Sequence, residues 1–173
     1  RQAEVVSCGF PTPFREARDR KPAKHYVLIM ADDQKAVTTL PAPFAQWFAS
    51  RGWSLRPHQA GLIETARLGQ GGLVIAPTGG GKTLAGFLPS LIELAAAPPR
   101  IHPALHTLYI SPLKALATDV ARNLATPIEE MKLPISLETR TGDTSPSRRQ
   151  RQRAKPPDIL LTTPEQLTLM LSH

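Results

Sequence analysis

Apolar residues recur along this chain with two periods, and the switches between them predict most of its elements. Tyr26-Val27-Leu28-Ile29-Met30 is a short strand-like run. It stands alone in a segment that mixes charges without periodicity (Arg15, Glu16, Arg18, Asp19, Arg20, Lys21) and holds Pro11, Pro13 and Pro22. Such a segment can bury little, so residues 1–38 are expected to form a disordered or loosely attached arm. From Leu40 the pattern sharpens. Phe44, Trp47 and Phe48 fall at helical spacing, so Pro43–Ser50 reads as a short amphipathic helix stopped at Gly52. Pro57 then opens a second helix through Ala60, Ile63 and Ala66 to about Leu68. Gly69 to Gly72 release the chain into the apolar run Gly72-Leu73-Val74-Ile75, and a helical pattern resumes at Leu84-Ala85-Gly86-Phe87-Leu88. Leu105–Ile110 is the next strand, followed by a helix whose positions Leu113, Leu116, Val120 and Leu124 share one face. Ile135–Thr139 and Asp158–Thr162 complete the set of strands. Strands separated by helices need crossover connections, which implies an α/β fold with a parallel sheet covered on both faces.

Composition narrows the picture. With 173 residues and 41% hydrophobic content the chain can bury one core, so one domain is expected. It begins at Arg1 and stops at His173 just after an apolar run, and so reads as an excised piece of a longer protein. The net charge of +7 favours a polyanionic partner. Cys8 is the single cysteine; it can form no internal disulfide and fits no metal spacing, which makes a reducing cytoplasm the simplest compartment. No apolar run approaches the roughly 20 residues of a membrane span, and there is no signal-peptide h-region. The expectation is a soluble cytoplasmic protein without a membrane partner. His25, His58, His102, His106 and His173 show no paired ligand spacing and read as surface or packing residues.

The chemistry concentrates in Ala76-Pro77-Thr78-Gly79-Gly80-Gly81-Lys82-Thr83, between a strand and a helix. Glycines at 79, 80 and 81 let successive backbone N–H groups turn inward at a helix N-terminus and form a concave anion nest. Lys82 can reach the β and γ phosphates of a nucleotide as a point charge, and the Thr83 hydroxyl can coordinate Mg²⁺. This is the P-loop pattern, except that Ala76 stands where the strict form has glycine. Upstream, Gln59 carries one acceptor and two donors, which matches the N6 and N7 edge of adenine and would select ATP. By itself a Pro-x-Gln helix start is more often a surface detail; its order before a glycine-rich Gly-Lys-Thr strengthens the functional reading.

Two later stretches have both a structural and a functional reading. In Thr162-Thr163-Pro164-Glu165-Gln166-Leu167, Thr163 suits an N-cap, Pro164 the first helical position and Gln166 a capping-box partner, with no ligand needed. The same helix N-terminus at the carboxyl end of a parallel strand is also where a backbone phosphate would sit. The run Arg148-Arg149-Gln150-Arg151-Gln152-Arg153 is either a solvated face or an additional footing for a polyanion.

Arg56-Pro57-His58-Gln59, the Ala76–Thr83 loop, Ser111-Pro112-Leu113-Lys114-Ala115-Leu116, Arg140-Thr141-Gly142-Asp143-Thr144 and Thr162–Leu167 together follow the motif order of superfamily-two helicases. The chain resembles their large-helicase-related branch, and its Trp47–Trp53 lead-in is similar to the ligase-associated DExH-box members. The resemblance covers roughly residues 40 to 173. It implies a RecA-like P-loop NTPase fold, with 39–173 as the N-terminal part of the first motor domain, and an ATP-driven motor that moves 3′ to 5′ on DNA in a repair setting. On it, Gln59, Pro77, Thr78, Gly79, Gly80, Gly81, Lys82, Thr83 and Leu84 would bind ATP with Mg²⁺, Lys82 and Thr83 being catalytic. Ser111, Pro112, Leu113, Lys114, Arg140, Thr141, Gly142, Asp143, Thr163, Pro164 and Glu165 would line a path for single-stranded or partly duplex DNA, RNA remaining open. A DNA ligase or nuclease is implied as partner, and a nucleoid-associated cytoplasmic location. The family's acidic box and its second motor domain, which supplies an arginine finger, are not among these residues, so the chain alone is expected to be close to hydrolytically inert. Two other classes stay open: a non-catalytic nucleic-acid-binding module and a P-loop small-molecule kinase.

Overall fold

The computed structural model describes residues 26–30, 39–98 and 102–172. They form two compact units, with the division after Ile92.

In the first unit, β1 (Tyr26–Met30) and β2 (Gly71–Ile75) pair in parallel, with Ile29 opposite Val74. Helix α1 (Ala42–Ser50) buries Phe44, Trp47 and Phe48, and α2 (Pro57–Arg67) buries Leu62 and Ile63. The chain leaves α1 at Gly52, whose φ of 65° lies in the left-handed region and ends the helix. Ile29, Leu62, Val74 and Ala85 form the core cluster. Packing there is close enough that a Cβ on Gly72 would lie 2.6 Å from a Leu62 methyl. The run Tyr26–Met30, expected in a loosely attached arm, is thus a paired strand that delivers Ile29 to the core. The remainder of the expected arm, 1–25 and 31–38, lies outside the described residues.

Helix α3 (Lys82–Ala96) follows β2, burying Ala85, Phe87, Leu88, Leu91 and Leu94. The second unit contains β3 (Thr107–Ile110), α4 (Lys114–Glu130), β4 (Leu137–Arg140), α5 (Pro146–Ala154), β5 (Ile159–Thr162) and α6 (Pro164–Leu171). Its strands run parallel in the order β3-β5-β4. Strand β5 is central and buried along its whole length, as the apolar run Ile159-Leu160-Leu161 demands. The strands are parallel, as expected, in one ladder within each unit.

The face of α4 differs from the sequence pattern. Leu113 is the extended residue before the helix and is 62% exposed, while the buried stripe is Ala117, Val120, Leu124, Pro127 and Ile128. The expected stripe began one turn too early because the helix starts only at Lys114.

Candidate functional site

Strand β2 ends at Ile75 and α3 begins at Lys82, and the six residues between them build the cradle. The Gly80 N–H donates to the Pro77 carbonyl at 3.0 Å, closing a tight turn. A Cβ on Gly80 would stand 2.7 Å from that same oxygen, closer than real side chains come, so the turn admits only glycine there. Gly79 and Gly81, at φ of 76° and 74°, carry the chain through the left-handed region. Ala76, which stands in place of the usual glycine, packs against the core cluster.

Lys82 Nζ donates to the carbonyls of Ala76 at 3.1 Å and Pro77 at 3.3 Å, so its ammonium rests on the loop it would leave for phosphates. Pro77, Thr78 and Gly79 are exposed, while Gly81, Thr83 and Leu84 are half-buried. Gln59 is 3% exposed, and its Oε1 accepts from the Arg56 N–H at 3.0 Å. That bond fixes the rotation of the amide and turns Nε2 toward the loop, where a Cβ on Gly81 would lie 3.0 Å from it. The residue expected to read adenine is therefore held against the phosphate loop by half a capping box. Oε1 keeps a second lone pair and Nε2 its donors for a base edge.

His58, expected to be a surface or packing residue, is 2% exposed beside this loop. Burial pulls its pKa below the ordinary value, a backbone contact with Gly80 opposes this, and Arg56 and Lys82 add to the lowering. Its only sequence signal was adjacency to Gln59.

The other candidate residues gather at the carboxyl edge of the β3-β5-β4 sheet. Ile110, Thr162 and Arg140 stand in register at the ends of their strands, so the segments that follow emerge side by side. The Ser111 N–H donates to the Thr162 carbonyl at 2.9 Å, and the Thr162 hydroxyl to the Arg140 carbonyl at 2.8 Å. Ser111 is fully buried, and its hydroxyl donates to the Leu113 carbonyl at 3.1 Å; it shapes the turn instead of facing outward. Arg140, Thr141 and Thr163 are buried, whereas Pro112, Leu113, Lys114, Gly142, Asp143, Pro164 and Glu165 are exposed. Lys114 and Asp143 form an ion pair that joins the segments after β3 and β4.

Thr163 is the N-cap of α6 and Pro164 follows it as expected, but no side chain caps the helix. The Glu165 carboxyl lies below its usual range, drawn down by the neighbouring Thr163 hydroxyl and by its own backbone N–H. The arginine run divides. Arg148 Nε donates to Glu138 at 3.0 Å and Arg151 Nη2 to the same carboxylate at 2.9 Å, while Gln152 Nε2 adds a third donor at 2.9 Å. Arg149 Nη2 donates to the carbonyls of Thr141 at 3.3 Å and Gly142 at 2.8 Å, bracing the loop after β4. The run is thus an exposed helix face that is partly paired, with Arg148, Gln150, Arg151 and Arg153 exposed and Gln152 buried; its acidic partner, Glu138, lies ten residues upstream of Arg148 and carried no motif signal.

The sequence pattern of the DEAD/DEAH box helicases matches residues 56–173, from the Gln59 helix through the end of α6. The chain belongs to this family. It is 44% identical over 137 residues to a Lhr helicase/probable uracil glycosylase of Mycolicibacterium smegmatis, covering 73% of this chain and 9% of that protein. An ATP-dependent helicase Lhr-Core of Methanocaldococcus jannaschii is 36% identical over 81% of this chain and 18% of its own length. The solved structure of Mycobacterium smegmatis helicase Lhr bound to ssDNA and AMP-PNP superposes with a TM-score of 0.67 at 43% identity, over 77% of this chain and 18% of that one. The chain therefore spans less than a fifth of the length of these relatives, and its mixed helix and parallel-sheet architecture is that of part of a RecA-like helicase motor domain.

Proposed function

We propose that this chain is the nucleotide-binding part of an ATP-dependent DNA helicase, holding ATP with Mg²⁺ in the Ala76–Thr83 cradle and a single DNA strand at the carboxyl edge of the β3-β5-β4 sheet. The observation that carries the reading is the posture of Lys82. Its ammonium sits on two neutral carbonyls in a loop whose turn excludes any Cβ at Gly80. Exchanging those neutral acceptors for phosphate oxygens gives shorter and stronger charge-assisted bonds. The M. smegmatis relative bound to ssDNA and AMP-PNP supports the same pairing of ligands.

Mg²⁺ fits the donor set. Among the described residues the half-buried Thr83 hydroxyl makes no hydrogen bond, and no cluster of three or more His, Cys, Asp or Glu side chains could hold a metal. An ion held by one hydroxyl, phosphate oxygens and water is the arrangement this cation favours. When bound it would neutralise charge developing on the β and γ phosphates.

A further part of the reading is that these 173 residues bind ATP without hydrolysing it at a motor rate, because none of the motifs read in them supplies the carboxylate that positions the attacking water. A role in DNA repair and a nucleoid location belong to the proposal through the resemblance to ligase-associated helicases. The test is calorimetry of ATP-Mg²⁺ on the full chain, wild type against Lys82→Ala. Binding that vanishes in the variant is expected; binding that survives Lys82→Ala unchanged removes the cradle from the account and favours a module that does not use ATP.

A further inference from the structure

We propose that Ile29 of β1 is a positioning residue for the nucleotide base: it sets how closely α2, and with it Gln59, lies against the strand that leads into the cradle. Val27 and Leu28 are 36% and 53% exposed, whereas Ile29 is 4% exposed, so β1 sends this side chain into the core. Its register opposite Val74 places it one residue before the end of β2.

The side chain fills room that two glycines leave. A Cβ on Gly61, in α2, would lie 3.0 Å from Ile29 Cγ2, and a Cβ on Gly72, in β2, would lie 3.5 Å from Ile29 Cδ1. Glycine in a helix interior sacrifices stability unless something needs the space. At Gly61 that space belongs to Ile29. Because interiors are close-packed, the volume at position 29 fixes the separation of α2 from β2.

The cluster that Ile29 joins draws on each element of the cradle. Leu62 comes from α2, three residues after Gln59, and Ala85 from the first turn of α3, three residues after Lys82. Ala76, whose carbonyl accepts from Lys82 Nζ, packs against the same cluster. Gln59 Nε2 faces the loop at Gly81, where a Cβ would lie 3.0 Å from it. The separation of α2 from the cradle therefore sets the reach of the amide, and a hydrogen bond to a base edge weakens steeply when its geometry is off. Phosphates are gripped by the loop and Lys82, which ATP and GTP would engage alike. Ile29 thus acts on the choice of base more than on the hold on phosphate. The inference rests on the nucleotide-binding reading for what Gln59 touches.

The experiment is calorimetry of ATP-Mg²⁺ and GTP-Mg²⁺ on the full chain, with urea unfolding and amide hydrogen exchange alongside. In Ile29→Ala the preference for ATP over GTP should fall about three- to tenfold, the range set by losing one hydrogen bond, while GTP affinity changes less than about twofold. Ile29→Val, which keeps Cγ2, should hold the preference within about twofold of wild type. Gly61→Ala drives a methyl against Ile29 and should narrow the preference too; combined with Ile29→Ala, the methyl occupies vacated space and the preference should recover. Leu124→Ala is the control, a core deletion in the second unit that lowers stability and leaves the preference alone. Should Ile29→Ala not fold, Gly61→Ala decides by whether its preference narrows. Equal weakening of ATP and GTP in Ile29→Ala, or an unchanged preference in both Ile29→Ala and Gly61→Ala, overturns the proposal. If the wild type binds neither nucleotide, the nucleotide reading fails by itself, and hydrogen exchange tests the positioning: faster exchange in Ile29→Ala confined to 57–67 and 76–83 upholds it, and unchanged exchange there overturns it.

Discussion

Gly80→Ala tests the cradle most sharply, because the perturbation is one methyl group with a defined collision. The new Cβ would lie 2.7 Å from the Pro77 oxygen and 3.3 Å from the Ala76 methyl. The first of these is backbone, which cannot rotate away like the end of a side chain. Relief requires the Pro77 carbonyl to move, and that oxygen accepts both the Gly80 N–H at 3.0 Å and Lys82 Nζ at 3.3 Å. Overpacking of this kind costs about 1–3 kcal/mol, and weakening these two hydrogen bonds adds about 1 kcal/mol in all. The expected loss is about 2–4 kcal/mol, against a total stability of about 5–15 kcal/mol for a natural domain. A chain of this size loses roughly 2–4 °C of Tm per kcal/mol, so thermal unfolding should shift by about 5–15 °C. Urea unfolding gives the energy and calorimetry the ATP affinity, which should fall with it. Gly142→Ala is the control: a Cβ there meets nothing within 4 Å, and the backbone φ is not positive. It should change stability by less than about 0.5 kcal/mol. Wild-type stability and ATP affinity in Gly80→Ala would refute the described turn.

Gln59→Ala removes the acceptor of the Arg56 N–H, so it should cost about 1 kcal/mol as a lost helix cap. It should also narrow the preference for ATP over GTP in competition binding; an unchanged preference means the amide does not read the base. Glu138 is pushed up by burial but pulled further down by Gln152, Arg148 and Arg151, giving a net lowering from 4.5. Its contribution to stability is therefore complete above that unfolded value and lost as pH falls through the lower folded one, and Glu138→Gln should flatten this acid limb in urea titrations. His58 is lowered from 6.5, chiefly by burial, so the folded state prefers the neutral ring. Stability should be complete above 6.5 and decline as pH falls toward the folded value; His58→Leu should abolish that decline, and a variant with the wild-type profile would assign it to another group.

What the sequence made legible is what short-range chemistry dictates. The Ala76–Thr83 turn could be read because a nest of inward N–H groups needs glycines at fixed offsets, and the same offsets place Lys82 and Thr83 at the start of α3. Strand β1 was visible as an apolar run but not as part of the sheet, since its partner β2 lies some forty residues away and nothing local announces the pairing. The arginine run shows the limit most clearly. Its spacing is compatible with a solvated helix face, a polyanion footing or an internal brace, and only the position of Glu138 across the sheet edge decides among them. One carboxylate takes Arg148 and Arg151 out of contention, two carbonyls orient Arg149, and Arg140 is left buried beside Arg149 and Arg153 with no counter-charge among the described residues. Net charge counts all of these cations alike. The fold sorts them into those already neutralised and those without a counter-charge among the described residues.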